Sequence, residues 1–165
     1  MEVLDLEITV IQADGLAAKD TNFFGFATKS DPYCEVIFHP RGIDSQYEQD
    51  HIAWGKTVIC FKTLTPHWNQ SFQKLVPLNE LSEDAQFKLI LMDYDKLSED
   101  DLMGRVDVFL PLNEIKRLHG DFQQTKWHGV PKSSADGEEA KGRVQVSLKT
   151  KLKRMTKSEY EAANL

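Results

Sequence analysis

Apolar and polar residues alternate with a period of two along this 165-residue chain, and that pattern most restricts how it can fold. Leu4, Leu6, Ile8 and Val10 alternate with Asp5, Glu7 and Thr9, while Val144, Val146 and Leu148 alternate with Arg143, Gln145, Ser147 and Lys149. Phe87, Leu89 and Leu91 share one parity around Lys88. Successive strand side chains point to opposite faces, so each segment reads as a strand with one face buried. Shorter strands are expected over 33–38, 55–61, 68–75, 104–110 and 125–128. Turn residues such as Asp14-Gly15, Pro40-Arg41-Gly42 and Thr65-Pro66 stand between them. About eight short strands with few helices predict an all-β antiparallel sandwich or barrel. Residues 112–118, with Pro111 at their start and Gly120 beyond, read as one short helix.

Composition narrows the function classes. The formal net charge is −6, which argues against a basic nucleic-acid binder. No apolar run approaches the roughly 18 residues of a membrane-spanning helix. The opening MEVLDLE lacks the basic start and apolar stretch of a secretion signal. Cys34 and Cys60 do not make a disulfide framework, so a reduced, cytoplasmic setting is expected. The five histidines and two cysteines lack zinc spacing, and there is neither a phosphate-binding glycine loop nor a nucleophile elbow. The chain is expected not to be an enzyme: a metal-dependent phosphoester hydrolase would need a general base or nucleophile partner that the sequence does not present.

The most informative segment follows an apolar strand. Between Asp93 and Asp101 stand Asp93, Asp95, Glu99, Asp100 and Asp101, with one lysine, Lys96. Asp93 and Asp95 are two apart, so on an extended strand end they point to the same side. Like charges this close repel unless a cation lies between them. Oxygen-only ligands at flexible spacing favour Ca²⁺ over Mg²⁺. An EF-hand is excluded: counted from Asp93, its sixth position is Ser98 instead of glycine, and its twelfth is Gly104 instead of glutamate. A solvated acidic loop that binds nothing is the rival reading.

Other segments, in order, decide between these. Leu6–Ala13 leads into Asp14-Gly15-Leu16. Lys19-Asp20 and Ser30-Asp31-Pro32-Tyr33 follow, then Thr63-Leu64-Thr65-Pro66-His67-Trp68-Asn69-Gln70-Ser71-Phe72, then Asp93, Asp95, Asp101 and Gly104. Together they resemble the C2 domain, an eight-stranded antiparallel Greek-key β-sandwich, over roughly residues 3–150. The strand expected over 142–150 comes last, as in the family's type II permutation, which implies that both chain ends lie on one side of the sandwich. The expected division is a C2-like domain over 1–150 and a basic, then mixed-charge, tail or helix over 151–165.

The resemblance implies two or three Ca²⁺ ions held by Asp20 and Asp31 from the first loop and by Asp93, Asp95 and Asp101 from the third. The Tyr94 carbonyl and, for an outer ion, the Ser98 hydroxyl complete the set. Eleven positions separate Asp20 from Asp31, a longer interval than is usual in the family, and the insert bears on whether Asp20 is delivered. The implied function is calcium-dependent binding to anionic phospholipid membranes, by a protein that is cytoplasmic and peripheral to the membrane once calcium binds. Phe23, Phe24 and Phe26 in the insert either enter the lipid interface or fold back on the sandwich, and Leu97 is a lesser membrane contact. Lys149, Lys151, Lys153, Arg154 and Lys157 form a basic stretch that either meets acidic head groups or a protein, or is a solvated strand end. The alternative function is a protein-interaction module of the same fold with weak or only structural calcium binding.

Overall fold

The structure is a computed structural model that describes residues 1–21, 27–43, 51–135 and 140–165, apart from the side chains of residues 20, 21, 27 and 28. Its strands are β1 (Glu2–Asp14), β2 (Asp20–Thr21), β3 (Ala27–Lys29), β4 (Pro32–His39), β5 (Ile52–Lys56), β6 (His67–Pro77), β7 (Gln86–Asp93), β8 (Asp101–Phe109), β9 (Phe122–Gly129) and β10 (Arg143–Arg154). Helix α1 (Leu112–Arg117) bridges β8 and β9, and α2 (Lys157–Ala163) closes the chain. Eight of the strands form two antiparallel four-stranded sheets, ordered β6-β1-β10-β9 and β5-β4-β7-β8, while β2 and β3 make a separate short hairpin. The last strand lies between the first strand and β9, as the type II permutation requires.

The alternation does what the sequence predicts. Leu4, Leu6, Ile8 and Val10 of β1 and Val144, Val146 and Leu148 of β10 share one buried core with Cys34, Val36 and Phe38 of β4 and Phe87, Leu89 and Leu91 of β7. Phe38, Trp54 and Phe87 fill one part of it, with ring centroids 4.6–5.4 Å apart. Aromatic groups in such tilted and edge-on contact add to the area they bury.

Several expected strand limits differ, β8 and β9 each starting three residues earlier, and two differences matter most. The segment expected over 55–61 instead pairs over Ile52–Lys56, and residues 57–61 leave the sheet. The last strand continues to Arg154, with Lys151 opposite Asp5 and Arg154 opposite Glu2. The chain ends meet there: the Met1 ammonium donates to the Met155 carbonyl at 2.8 Å, and the Met155 N–H to the Met1 carbonyl at 3.1 Å. At the opposite pole lie the end of β1, the start of β4, the end of β7 and the connection over 57–66. Among the described residues, no helix is long and apolar enough to cross a membrane.

Candidate functional site

At that pole carboxylates stand at or next to the ends of three adjacent strands. Pro32, directly after Asp31, is opposite Asp93 in the β4–β7 register, and Asp93 is opposite Asp101 in the β7–β8 register. Asp93 and Asp101 therefore project to the same side of the sheet on strands roughly 5 Å apart. Asp93 is only 2% exposed, whereas Asp101 stands at the exposed rim. A bulge between Leu91 and Met92 leaves Met103 as the extra residue of β8, next to Gly104. A Cβ at Gly104 would lie 2.4 Å from Val130 Cγ1, so glycine is needed where this loop returns to the sheet.

The first and third loops are stitched together through their aspartates. The Asp31 N–H donates to Asp93 Oδ1 at 2.7 Å, and the Tyr94 N–H to the Asp31 carbonyl at 3.0 Å. The residues after Lys56 form a strap across the same place. Thr57, Cys60 and Thr63 donate their N–H groups to the carbonyls of Cys34, Pro32 and Ser30 at 2.9–3.0 Å. The Lys62 N–H donates to Asp31 Oδ1 at 2.7 Å, with Lys62 itself in the left-handed region at φ 54°. Beyond the strap, the Trp68 indole N–H donates to the Pro32 carbonyl at 3.3 Å, and the Pro66 carbonyl accepts from the Ala13 N–H at 3.0 Å. The segment from Thr63 to Trp68 thus ties the first loop to the strands on either side of it.

The insert does not carry its base away. The backbone of Asp20 pairs with Lys29 in the β2–β3 hairpin, two residues before Asp31. The Lys19 N–H donates to the Lys29 carbonyl at 3.1 Å and to Ser30 Oγ at 2.8 Å, and Ser30 Oγ donates to the Ala17 carbonyl at 3.1 Å. The Asp20 side chain, Phe23, Phe24 and Phe26 lie outside the described residues.

The third loop is folded on its own polar groups. Asp95 Oδ1 accepts the Leu97 N–H at 2.9 Å, and Asp95 Oδ2 accepts the Ser98 hydroxyl at 2.8 Å. The Leu97 N–H and then the Ser98 hydroxyl hold this carboxyl below its ordinary value. Asp100, which in sequence looks like extra charge alone, accepts the Asp95 N–H on Oδ1 at 2.9 Å and the Tyr33 hydroxyl on Oδ2. Burial, with the Asp100 bond and charge added, pushes the Tyr33 phenol well above its usual range, so it remains a proton donor. As placed, no three acidic, histidine or cysteine side chains among the described residues converge on a metal-sized point. In this arrangement Asp95 is engaged by Leu97 and Ser98. The donor chemistry suits a hard cation: carboxylates of Asp31, Asp93, Asp95 and Asp101, with the Tyr94 carbonyl and Ser98 hydroxyl nearby in the chain.

Two exposed apolar side chains flank these carboxylates. Leu97 at the tip of the third loop is 93% exposed and Phe61 in the strap is 66% exposed. The Phe61 ring meets Tyr94 edge-on, with centroids 6.3 Å apart. Sequence reasoning misses Phe61 because the run 58–61 reads as strand. The basic stretch lies in the other half of the molecule, among acids. Lys153 Nζ reaches Asp5 Oδ2 at 2.6 Å, Arg154 reaches Glu2 at 3.5 Å, Lys157 reaches Glu161 at 3.8 Å, and Lys149 is opposite Glu7.

Fold and site together define a β-sandwich that gathers carboxylates at the loops of one pole. A family model of the C2 domain matches residues 4–130, and the chain belongs to that family. It is 29% identical to mouse (Mus musculus) synaptotagmin-7 over 144 residues, which are 87% of this chain and 30% of that protein. It is 34% identical to synaptotagmin-C of Diplobatis ommata over 143 residues, 87% of this chain and 23% of that one. The chain therefore spans less than a third of the length of these relatives. A calcium-bound structure of two C2 domains of extended synaptotagmin 2 superposes with a TM-score of 0.61 at 22% identity, covering 88% of this chain and 45% of the other.

Proposed function

We propose that this C2 domain binds anionic phospholipid membranes when calcium is present, and that it acts as a binding module without catalytic activity of its own. The observation that carries the reading is the stitching of Asp31 to Asp93 at adjacent strand ends, with Asp101 opposite Asp93. Asp31, Asp93, Asp95 and Asp101 would supply carboxylate oxygens, the Tyr94 carbonyl one more, and Ser98 a hydroxyl for an outer ion. The hairpin pairing of Asp20 with Lys29 supports Asp20 as the fifth aspartate. Two Ca²⁺ ions would offset most of this negative charge, a third would more than cancel it, and either set would leave coordination positions for lipid phosphate oxygens. The calcium-bound state of the extended synaptotagmin 2 structure, which shares this fold, accords with the same reading.

Leu97 and Phe61 flank the carboxylates and would enter the lipid interface as the charge is offset, joined by Phe23, Phe24 and Phe26 of the first loop. The protein would then be cytoplasmic and peripheral, reaching the membrane only on calcium binding. Lys149, Lys151, Lys153, Arg154 and Lys157 offer a second contact for acidic head groups or for a protein, and the acids beside them reduce its strength.

One observation favours the other reading, a protein-interaction module with weak or structural calcium: Asp95 is engaged by Leu97 and Ser98. Isothermal titration with Ca²⁺, with and without lipid, separates the two. Sedimentation with phosphatidylserine vesicles should show binding that chelator reverses and that Asp93→Asn with Asp95→Asn abolishes. Binding indifferent to both overturns the membrane reading.

A further inference from the structure

We propose that Asp100 is a positioning residue for the calcium loop: bonded to Tyr33 and to the Asp95 backbone, it fixes the loop so that Asp95 can turn to the ion without moving its main chain. The inference rests on the calcium reading above. Asp100 is not one of the residues implied as ligands, and both of its oxygens are engaged within the protein. One accepts the Asp95 N–H at 2.9 Å and the other the Tyr33 hydroxyl. The first bond spans the loop from its descending to its ascending limb. The second anchors that limb to β4, two residues beyond Asp31. Tyr33 is itself buried, and Lys56, paired with Glu35 at 3.2 Å, lies 6.0 Å above its ring.

The geometry assigns the effect to hydrogen bonding. In calcium-free protein Asp95 accepts from the Leu97 N–H and the Ser98 hydroxyl, and turning it toward a metal would exchange one or both of these bonds. If its backbone were free, that exchange would also have to order the segment 94–100, at an entropic cost per residue. With the Asp95 N–H already held by Asp100, only side-chain torsions change. A ligand set ordered beforehand binds more tightly for the same contacts.

Three variants separate positioning from charge. Asp100→Ala removes both acceptors. Asp100→Asn keeps an acceptor for the Asp95 N–H and removes the charge. Tyr33→Phe removes the anchor and no charge. Calcium titration of the full chain should show Asp100→Ala and Tyr33→Phe weakened by about tenfold, the scale of one lost hydrogen bond to a charged group, with Asp100→Asn closer to wild type. In calcium-free protein, hydrogen exchange at the Asp95 amide should quicken in Asp100→Ala and stay slow in Asp100→Asn. Equal weakening by Asp100→Ala and Asp100→Asn with Tyr33→Phe unchanged would mean that Asp100 acts by charge, and the proposal fails. It also fails if all three bind calcium as wild type does. Wild type that takes up no calcium overturns the calcium reading itself, a result distinct from either.

Discussion

The two halves of the sandwich handle charge in opposite ways. Along β10, cations are set against acids of β1: Lys151 faces Asp5, Lys149 faces Glu7, and Lys153 and Arg154 reach Asp5 and Glu2. At the loop pole, acids are brought toward acids across three adjacent strand ends, and backbone N–H groups and hydroxyls bond to them. The first arrangement is complete without a ligand and serves the sheet. The second gathers negative charge, which folding alone has no reason to do, since like charges at this spacing repel. Charge met across a register reads as structure, and charge concentrated at a pole reads as a place for a counter-ion.

The sharpest break of this comparison is metal itself. Saturating calcium should raise the melting temperature, because a ligand bound only by the folded state stabilises it, by about 2.7 kcal/mol at one hundred times its dissociation constant. Chelator should reverse the shift and Asp93→Asn should remove it, while Lys151→Glu should leave the shift intact on a lower baseline. Differential scanning calorimetry with and without calcium reads all three. A calcium shift that survives Asp93→Asn would place the ion elsewhere.

Next in size is the apolar rim. Burying a leucine or phenylalanine side chain is worth roughly 1.5–3 kcal/mol. Phe61→Ala and Leu97→Ala should therefore each weaken calcium-dependent vesicle binding by about tenfold or more in cosedimentation. Neither should lower the calcium-free melting temperature appreciably, since both side chains are exposed. An unchanged affinity for both variants would remove this pole from the membrane contact.

The sequence made the sheets legible and left much of the site obscure, for identifiable reasons. Alternation exposes β1, β7 and β10 because one face of each is buried. It misleads over 57–61, where Val58, Ile59, Cys60 and Phe61 form an apolar run that resembles a strand. Those residues form the strap instead, the Thr57 and Cys60 N–H groups spent on the carbonyls of Cys34 and Pro32, with Val58 and Phe61 left exposed. The family resemblance marks Asp31, Asp93, Asp95 and Asp101, and the register brings Asp93 opposite Asp101. It is silent on Lys62, whose contribution is a backbone N–H that nearly any residue carries, and on Asp100, whose partner Tyr33 lies 67 residues away in sequence. The end of β10 is equally hidden, because Lys151 and Lys153 look like a solvated tail until Asp5 is beside them.

Reversing a charge in β10 tests the other half of the comparison. Lys151→Glu puts a glutamate directly opposite Asp5, and a like-charged cross-strand pair destabilises by an amount of order 1 kcal/mol. Urea denaturation should show a lower midpoint with an unchanged slope. Calcium affinity should not move, since Lys151 lies in the half of the sheet away from the loops. A loss of calcium binding without a loss of stability would mean that the two regions are coupled.

The smallest effect is the most specific. The Asp5 side chain is 12% exposed, and burial alone would raise its carboxyl. The Lys153 ammonium and the Gln73 amide, bonded to it at 2.6 Å each, outweigh burial with help from the Lys151 charge and hold it below the ordinary 3.8. A carboxyl depressed in the folded state stabilises above its unfolded value, and the contribution is lost as pH falls through the folded value. Lys153 is about half exposed, so the pair is worth roughly 0.2–1 kcal/mol after solvent screening. Lys153→Gln should therefore lower stability by that amount at pH 7, and the gap to wild type should narrow as pH falls below about 4 and onward through the lower folded value of Asp5. A gap that does not narrow as pH falls would show that Lys153 stabilises β10 by packing its alkyl chain, and that the cross-register charges are incidental to it.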